Sequence, residues 1–264
     1  MGMRRVLASE ISGDFERDLC WKDDEKYLYH PNPRKASVMG YQLRLDTILG
    51  WVEQLSLGRR IGDFATATGT FGLMLAEKGF EVTAVDINSD FLNYALKKHA
   101  HGDYKTVHSN IMEYQTLVPF DCVVIGEVIE HVAYPKDLLA ACRRNLKKDG
   151  ILILSTPNGN QYGSTLPTYS QVTDLSALIP RQFHWGDHLF LYTDVELKAL
   201  LEESGFEVIQ IEKLDASFVS QMKGIRYLFP KSFLKWLEKK TRGFKKNGKD
   251  TTCCIVVAAK KKVD

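Results

Sequence analysis

The sequence has no pair of cysteines at C-x-x-C spacing, no long apolar run and no strong excess of either charge. Its five cysteines, Cys20, Cys122, Cys142, Cys253 and Cys254, fall mostly within apolar strand or helix patterns. That argues against a zinc site or a disulfide scaffold and for buried free thiols in a reducing compartment. No stretch reaches the length of a membrane-spanning helix, and the segment after Arg4 and Arg5 lacks the apolar core of a signal peptide. Position 6 is Val6, where a myristoylation signal would have Ser or Thr. A cytoplasmic protein is expected. The formal charge of +2 leaves the whole chain no obvious polyanion binder, and no internal repeat or low-complexity tract is present.

A G-x-G-x-x-G loop is also missing, but residues 60 to 72 hold something close to one. Arg60 to Phe64 reads as a buried strand, Ala65 to Gly69 as a loop of small residues and Thr70 to Lys78 as a helix. Such a loop lets backbone N–H groups and the positive helix end approach a polar or anionic ligand. The next strand, Phe80 to Val85, runs into Asp86, 23 residues after Asp63, where a carboxylate can accept both hydroxyls of a ribose. Taken alone the loop also fits an ordinary strand-to-helix turn. Loop, second strand and terminal acid together read as a nucleoside site.

Elsewhere strands and helices alternate. Leu45, Ile48, Leu49, Val52 and Leu55 recur at helical spacing within Ser37 to Leu55, after a turn-rich, irregular stretch over residues 1–36. Asn88 to His101 and Pro135 to Leu146 read as helices, Tyr104 to His108, Phe120 to Ile125 and Ile151 to Ser155 as strands. A long connection over residues 158–192 predicts a substrate wall. Helix Asp194 to Ser204, strand Phe206 to Ile211 and strand Cys253 to Ala259 complete the order. This alternation is the signature of an α/β fold with a parallel sheet covered on both faces, and the length suits one core. Gly126 and Glu127, at the carboxyl end of the fourth strand, should face the same crevice as the loop, with Glu130 and His131 one turn on, nearer an acceptor.

With Asp63-Phe64-Ala65-Thr66-Ala67-Thr68-Gly69 followed by Asp86, the chain resembles the class I S-adenosylmethionine-dependent methyltransferases, whose first motif usually reads D-x-G-x-G-x-G. Here alanines replace the first two glycines. Alanine permits close approach but resists positive φ, which bears on cofactor affinity. The run Phe120-Asp121-Cys122-Val123-Val124, then Glu127-Val128-Ile129-Glu130-His131, then Leu152 to Asn158, is similar to the ubiquinone-pathway type of O-methyltransferase over about 150 residues. The resemblance implies a Rossmann-like seven-stranded sheet whose last strand is antiparallel, filling one methyltransferase domain over 1–264 with a helical lid over 1–58. It implies that S-adenosylmethionine meets Asp63, Ala65, Thr68, Gly69, Asp86, Ile87, Asn110, Ile111, Gly126 and Glu127. Arg44, otherwise a surface residue, would reach the cofactor carboxylate.

The E-x-x-E-H run, joined by His188, is also similar to the magnesium site of small-RNA 2′-O-methyltransferases, which would make Glu127, Glu130, His131 and His188 ligands. Three readings stay open: an Mg²⁺ site, a metal-free base in which His131 acts with His188 second and Glu130 beside it, and a structural cluster. His184 reads as a lining residue, and His99, His101 and His108 carry no assignment. The function expected is O-methylation of a small-molecule, sugar or lipid-like acceptor. The rivals are a magnesium-dependent small-RNA enzyme and a non-catalytic nucleoside-binding module.

One segment is out of balance. Lys223 to Lys249 holds ten Lys or Arg and one acid, Glu238, leaving about −7 for the rest of the chain. Within this basic insertion, spanning 215–249, Ile225, Leu228, Phe229, Phe233, Leu234, Trp236 and Leu237 predict amphipathic helices. They pack as a solvated basic face or make a peripheral membrane contact, with nucleic acid the lesser alternative.

Overall fold

Alternate residues of the central strands bury on opposite faces of one sheet, and this decides the architecture. Val123, Ile125, Leu152, Leu154, Ile255 and Val257 join one core, while Cys122, Val124, Ile151, Ile153, Val256 and Ala258 join the other. The computed structural model describes residues 3–175 and 187–262, the side chains of residues 220, 221 and 223 aside. Strands β1 (Arg60–Phe64), β2 (Glu81–Asp86), β3 (Asp103–His108), β4 (Phe120–Gly126) and β5 (Leu146–Pro157) pair in parallel in the order β3-β2-β1-β4-β5. After β6 (Phe206–Ala216) comes a hairpin of β7 (Lys245–Lys246) and β8 (Lys249–Asp250). The last strand, β9 (Thr252–Lys261), inserts antiparallel between β5 and β6. The Rossmann-like seven-stranded sheet expected above is therefore present.

Helices cover both faces. Helix α2 (Ala36–Leu55) and α3 (Thr70–Glu77) supply Ile48, Leu49, Val52, Leu73 and Leu75 to one core. On the other face, α5 (Pro135–Asn145) contributes Leu138, Leu139 and Cys142, and α6 (Asp194–Glu203) contributes Leu197, Leu200 and Leu201. Local chemistry sets the ends. Thr193 and Glu196 form a reciprocal capping box on α6, and Gly205 terminates it at φ 83°. Asn88 caps α4 (Ser89–Lys98), whose end falls three residues short of the expected His101 because His99 is already extended.

Three other expectations need correction. The N-terminal stretch is not irregular throughout: wide helical turns over Glu16–Trp21 continue into α1 (Lys22–Tyr27), because Phe15, Cys20 and Trp21 pack with Val6, Phe91 and Tyr94, while residues 28–35 are turns as expected. Strand β6 continues to Ala216, five residues past Ile211, so the insertion starts at Ser217. That insertion holds α7 (Ser217–Gln221), a 3-10 helix (Lys223–Leu228), α8 (Lys231–Thr241) and the β7–β8 hairpin. All five cysteines are free, four of them buried and Cys253 half-buried.

A buried ion pair fastens the N-terminal helices to α4. Lys98, fully buried at the end of α4, lies 2.9 Å from Asp24 and donates to Thr70 Oγ1 at 3.1 Å, while the Tyr94 hydroxyl donates to Asp24 at 3.0 Å. Burial pulls the Lys98 ammonium below and the Asp24 carboxyl above their ordinary values, and their mutual attraction opposes both. Lys98→Met should leave Asp24 buried without its partner and cost about 3–5 kcal/mol. A shift in the denaturant midpoint at constant slope reads this, and adding Asp24→Asn should recover much of the loss. A single-variant loss below about 1 kcal/mol would show that the pair does not hold the N-terminal helices.

Candidate active site

The turn from β1 to α3 is shaped by two carboxylates rather than by glycines. Buried Asp63 accepts the Thr66 hydroxyl at 2.5 Å and the Gly72 N–H at 3.0 Å. Asp86, at the end of β2, accepts the N–H of Ala67 and of Asn88, both at 2.9 Å. Between these anchors Ala65 and Ala67 adopt φ 53° and 46°, and Gly69 adopts φ 76°. Alanine pays about 1–2 kcal/mol in the left-handed region, so the surrounding hydrogen bonds over-determine the loop. Gly69 is needed for another reason: a Cβ there would meet Ala95 Cβ at 2.6 Å and the Tyr104 hydroxyl at 2.7 Å.

Beside this turn lies a cleft of about 690 Å³, within the range of small-molecule sites. Ala65, Thr68, Gly126, Glu127 and Arg44 all line it, as does Asp63. Gly126 lets the Phe71 ring approach, since a Cβ would sit 2.7 Å from it. Glu127, at φ 56°, donates its N–H to the Ser155 carbonyl, accepts the Ser155 hydroxyl at 3.0 Å and pairs with Arg44 at 3.0 Å. Burial disfavours the Arg44 charge, but Glu127 and other nearby groups more than offset it, so the guanidinium is held more basic than usual. Its Nε is buried with no hydrogen-bond partner among the described residues. A cleft of this volume with an unsatisfied guanidinium N–H fits an amino-acid-bearing nucleoside such as S-adenosylmethionine.

Gly69, Asp86, Ile87, Asn110 and Ile111 are not among the residues lining the cleft. The Asp86 oxygens hold backbone N–H groups, and the Asn110 side chain accepts from Met112 N–H at 3.0 Å, closing its own turn. Ile87 is 63% exposed, an apolar face open to a flat ring. The walls include residues the sequence pattern did not single out: Leu19, Asp23 and Tyr27 from the N-terminal helices, Gly40 and Tyr41 from α2, and Asp215, Cys253 and Cys254. One signal was available. Gly40 is a glycine in a helix interior, and a Cβ there would run into the Asp215 carboxylate.

A second constellation follows directly along β4. Glu130 is fully buried and accepts the Thr156 hydroxyl at 3.0 Å, while its Oε1 has no hydrogen-bond partner among the described residues. His131 Nε2 and His188 Nε2 lie 3.9 and 4.0 Å from that oxygen. The imidazoles meet edge to face with centroids 4.9 Å apart. Burial, then the charge of Glu127, raises Glu130 well above the carboxylate range, and burial lowers His188. The ligand atoms of Glu130, His131 and His188 all lie within 4.8 Å of one another. Glu127 is not part of this group, contrary to expectation, because Arg44 and Ser155 hold its carboxylate in the cleft. His188 arrives from the end of the 158–192 connection, where the Leu189 N–H donates to the Glu130 carbonyl at 2.9 Å. His184 lies outside the described residues, as does residue range 176–186 of the expected substrate wall.

The family described as "Methyltransferase domain" matches residues 41–211, more than half of the chain. The chain belongs to the methyltransferase domain family. This methyltransferase is similar to the ubiquinone biosynthesis O-methyltransferase of Idiomarina loihiensis, at 31% identity over 119 residues, 42% of this chain and 49% of that protein. The chain thus spans about half of that relative's length. It is also similar to the protein of the same name from Pseudomonas aeruginosa, at 28% identity over 169 residues, 62% of this chain and 72% of that one. Among solved structures, a SAM-dependent methyltransferase from Archaeoglobus fulgidus superposes with a TM-score of 0.58 at 20% identity, covering 92% of this chain and 100% of the other. That likeness speaks to the fold. The methyltransferase family expected from Asp63 to Gly69 is the one whose domain the chain carries.

Relieving the left-handed alanines should stabilise it. Ala65→Gly and Ala67→Gly are each expected to gain about 0.5–1 kcal/mol, the left-handed penalty less the extra unfolded-state freedom of glycine. Unchanged or lower thermal midpoints in both variants would show that the loop is not strained. Asp63 gives a pH signature. Burial pushes its carboxyl up to about 6 from an ordinary 3.8, against the Thr66 and Gly72 hydrogen bonds. Because the folded value lies above the unfolded one, the contribution of Asp63 to stability is full below about pH 4 and is lost as pH rises to about 6. Asp63→Asn keeps an acceptor oxygen and removes the titration. Its stability relative to the parent should therefore rise between about pH 4 and 6, by roughly 3 kcal/mol, and level off above. A pH-independent difference would exclude this role.

Proposed function

We propose that the methyltransferase transfers the methyl group of S-adenosylmethionine to a hydroxyl of a small-molecule, sugar or lipid-like acceptor, with His131 taking the acceptor proton. We read 1–264 as one domain and residues 1–58 as its lid, a reading supported by Leu19, Asp23, Tyr27, Gly40, Tyr41 and Arg44 lining the cleft. The name of the curated relatives supports transfer to oxygen. Arg44, the Ala65 to Gly69 turn, Asp86, Ile87, Asn110, Ile111 and Gly126 would hold the cofactor. When bound, it supplies a methyl carbon already activated by a sulfonium, so alignment and proton removal are what the protein must add.

One observation carries the assignment of the base. His131 Nδ1 lies 2.7 Å from the Asp187 carbonyl, an acceptor only, so Nδ1 carries a proton and in the neutral imidazole the Nε2 lone pair is free. His131 is one-third exposed, so an acceptor can reach it. Once Nε2 takes a proton, the imidazolium lies 3.9 Å from the unsatisfied Glu130 oxygen, and His188 stands beside it as a second proton carrier. Glu130 thus needs no charge in the resting site and gains reason to ionise as the base is protonated.

The same orphan oxygen favours a second reading, in which Glu130, His131 and His188 hold a divalent cation that acidifies the acceptor hydroxyl. Two imidazoles and one carboxylate suit zinc or manganese better than magnesium, which takes oxygen ligands. His131→Ala separates the outcomes. Turnover should fall by about 10²–10⁴ while S-adenosylhomocysteine affinity, by calorimetry, changes less than about twofold. Equal loss of both would make the residue structural. Turnover of the parent protein that survives chelation supports the metal-free base, whereas loss restored by zinc or manganese supports the second reading.

A further inference from the structure

Between β6 and β9 the surface carries a pattern that the methyl-transfer site does not use. The acid within residues 223–249, Glu238, is buried and paired with Arg242 at 2.8 Å, so no carboxylate of this segment faces solvent. Helix α8 meets the body through buried Leu234 and Thr241 and partly buried Leu237, packing with Met39 and Val219. A basic helix that is merely solvated carries polar groups over its remaining surface. This one does not. Its outward face holds Phe233 and Trp236, 37% and 54% exposed, stacked with centroids 5.6 Å apart, and Phe229 lies 4.9 Å from Phe233. Just before α8, Ile225 and Leu228 stand 59% and 80% exposed. Lys239 and Lys240 share the outward side of the helix, and Lys245, Lys246 and Lys249 are exposed on the hairpin that follows.

We propose that this face docks on an anionic lipid bilayer surface, with α8 lying in the interfacial plane. The uncompensated lysines complement acidic headgroups, and the rings with Leu228 and Ile225 enter the boundary between headgroups and acyl chains. The 11 residues of α8 span about 16 Å, suited to lying flat. Among the described residues no helix is long and apolar enough to cross a membrane, so the contact is peripheral. A nucleic acid would engage the lysines and Trp236, but it would leave Leu228 and Ile225 in water, since aliphatic side chains give bases no ring to stack on. Helix α8 and its neighbours pack on Met39 of α2, and the adjacent Gly40, Tyr41 and Arg44 line the cleft. Docking therefore sets the wall of the cleft beside the lipid.

Sedimentation of the full chain with vesicles of about one-third phosphatidylglycerol in phosphatidylcholine tests this. The parent protein should bind at ~0.1 M salt and lose at least about tenfold in affinity at ~0.5 M salt or on pure phosphatidylcholine. The exposed double variants Leu228→Ser/Trp236→Ser and Lys239→Glu/Lys240→Glu should each lose about tenfold with unchanged thermal midpoints. Absence of binding by the parent, or equal binding by the Leu228/Trp236 variant, would overturn the proposal. So would lysine-dependent capture of an RNA oligonucleotide without vesicle binding, which would make the face a nucleic-acid surface.

Discussion

Two buried carboxylates bend the chain after β1, and the candidate site depends on that bend. Asp63 reaches forward to Gly72 and Asp86 reaches across from β2 to Ala67, so the turn is clamped from both neighbouring strands. Side chains thus impose a conformation that glycine would adopt freely, and Ala65 and Ala67 accept it under constraint. Such a loop presents backbone to the cleft with little freedom to lose when a ligand arrives, which is what preorganisation requires. The same clamp engages both Asp86 oxygens. A carboxylate oxygen has two lone pairs, so holding the loop and accepting a hydroxyl are compatible.

Arg44 and Glu127 set the other side of the cleft. Their pairing joins α2 to the end of β4 across the space between them. A ligand carboxylate that engages the guanidinium competes with Glu127 or shares it through the unsatisfied Nε. Removing negative charge from the neighbourhood of Glu130 would also ease its ionisation, because Glu127 is among the groups that raise it. The cleft and the group of Glu130, His131 and His188 are thereby linked through two carboxylates three residues apart just after β4. That coupling is electrostatic and needs no movement of the backbone.

Much of this was legible from residue order. Buried strands in α/β proteins announce themselves as continuous apolar runs, and Asp86 and the Glu127 to His131 run sit at strand ends, where topology rather than packing decides what meets what. His188 was legible as chemistry but not as geometry, since its approach to Glu130 depends on a long connection whose path no periodicity fixes. The N-terminal helices were hidden for a related reason. Their stability comes from burying Cys20 and from the pairing of Asp24 with Lys98, partners 74 positions apart, and a polar local sequence gives no hint of either. Asp215 and Cys253 reach the cleft only because β9 inserts beside β6, a crossover no local pattern encodes. Glu127 was expected both at the cofactor and as a metal ligand; spacing places it near Glu130, but a left-handed backbone turns its side chain toward Arg44 in the cleft.

Helix α2 ties these parts together. One face packs Ile48, Leu49 and Val52 on the sheet, a second presents Gly40, Tyr41 and Arg44 to the cleft, and Met39 receives α8. Helix α2 thus connects α8 to Arg44 and, through the ion pair, to Glu127. Gly40 marks a close approach in this arrangement: a Cβ there would run into the Asp215 carboxylate, so that side chain would have to shift. The end of β4 and the aromatic, basic face outside are therefore joined through one helix, α2, which contributes to the wall of the cleft and to the seat of α8.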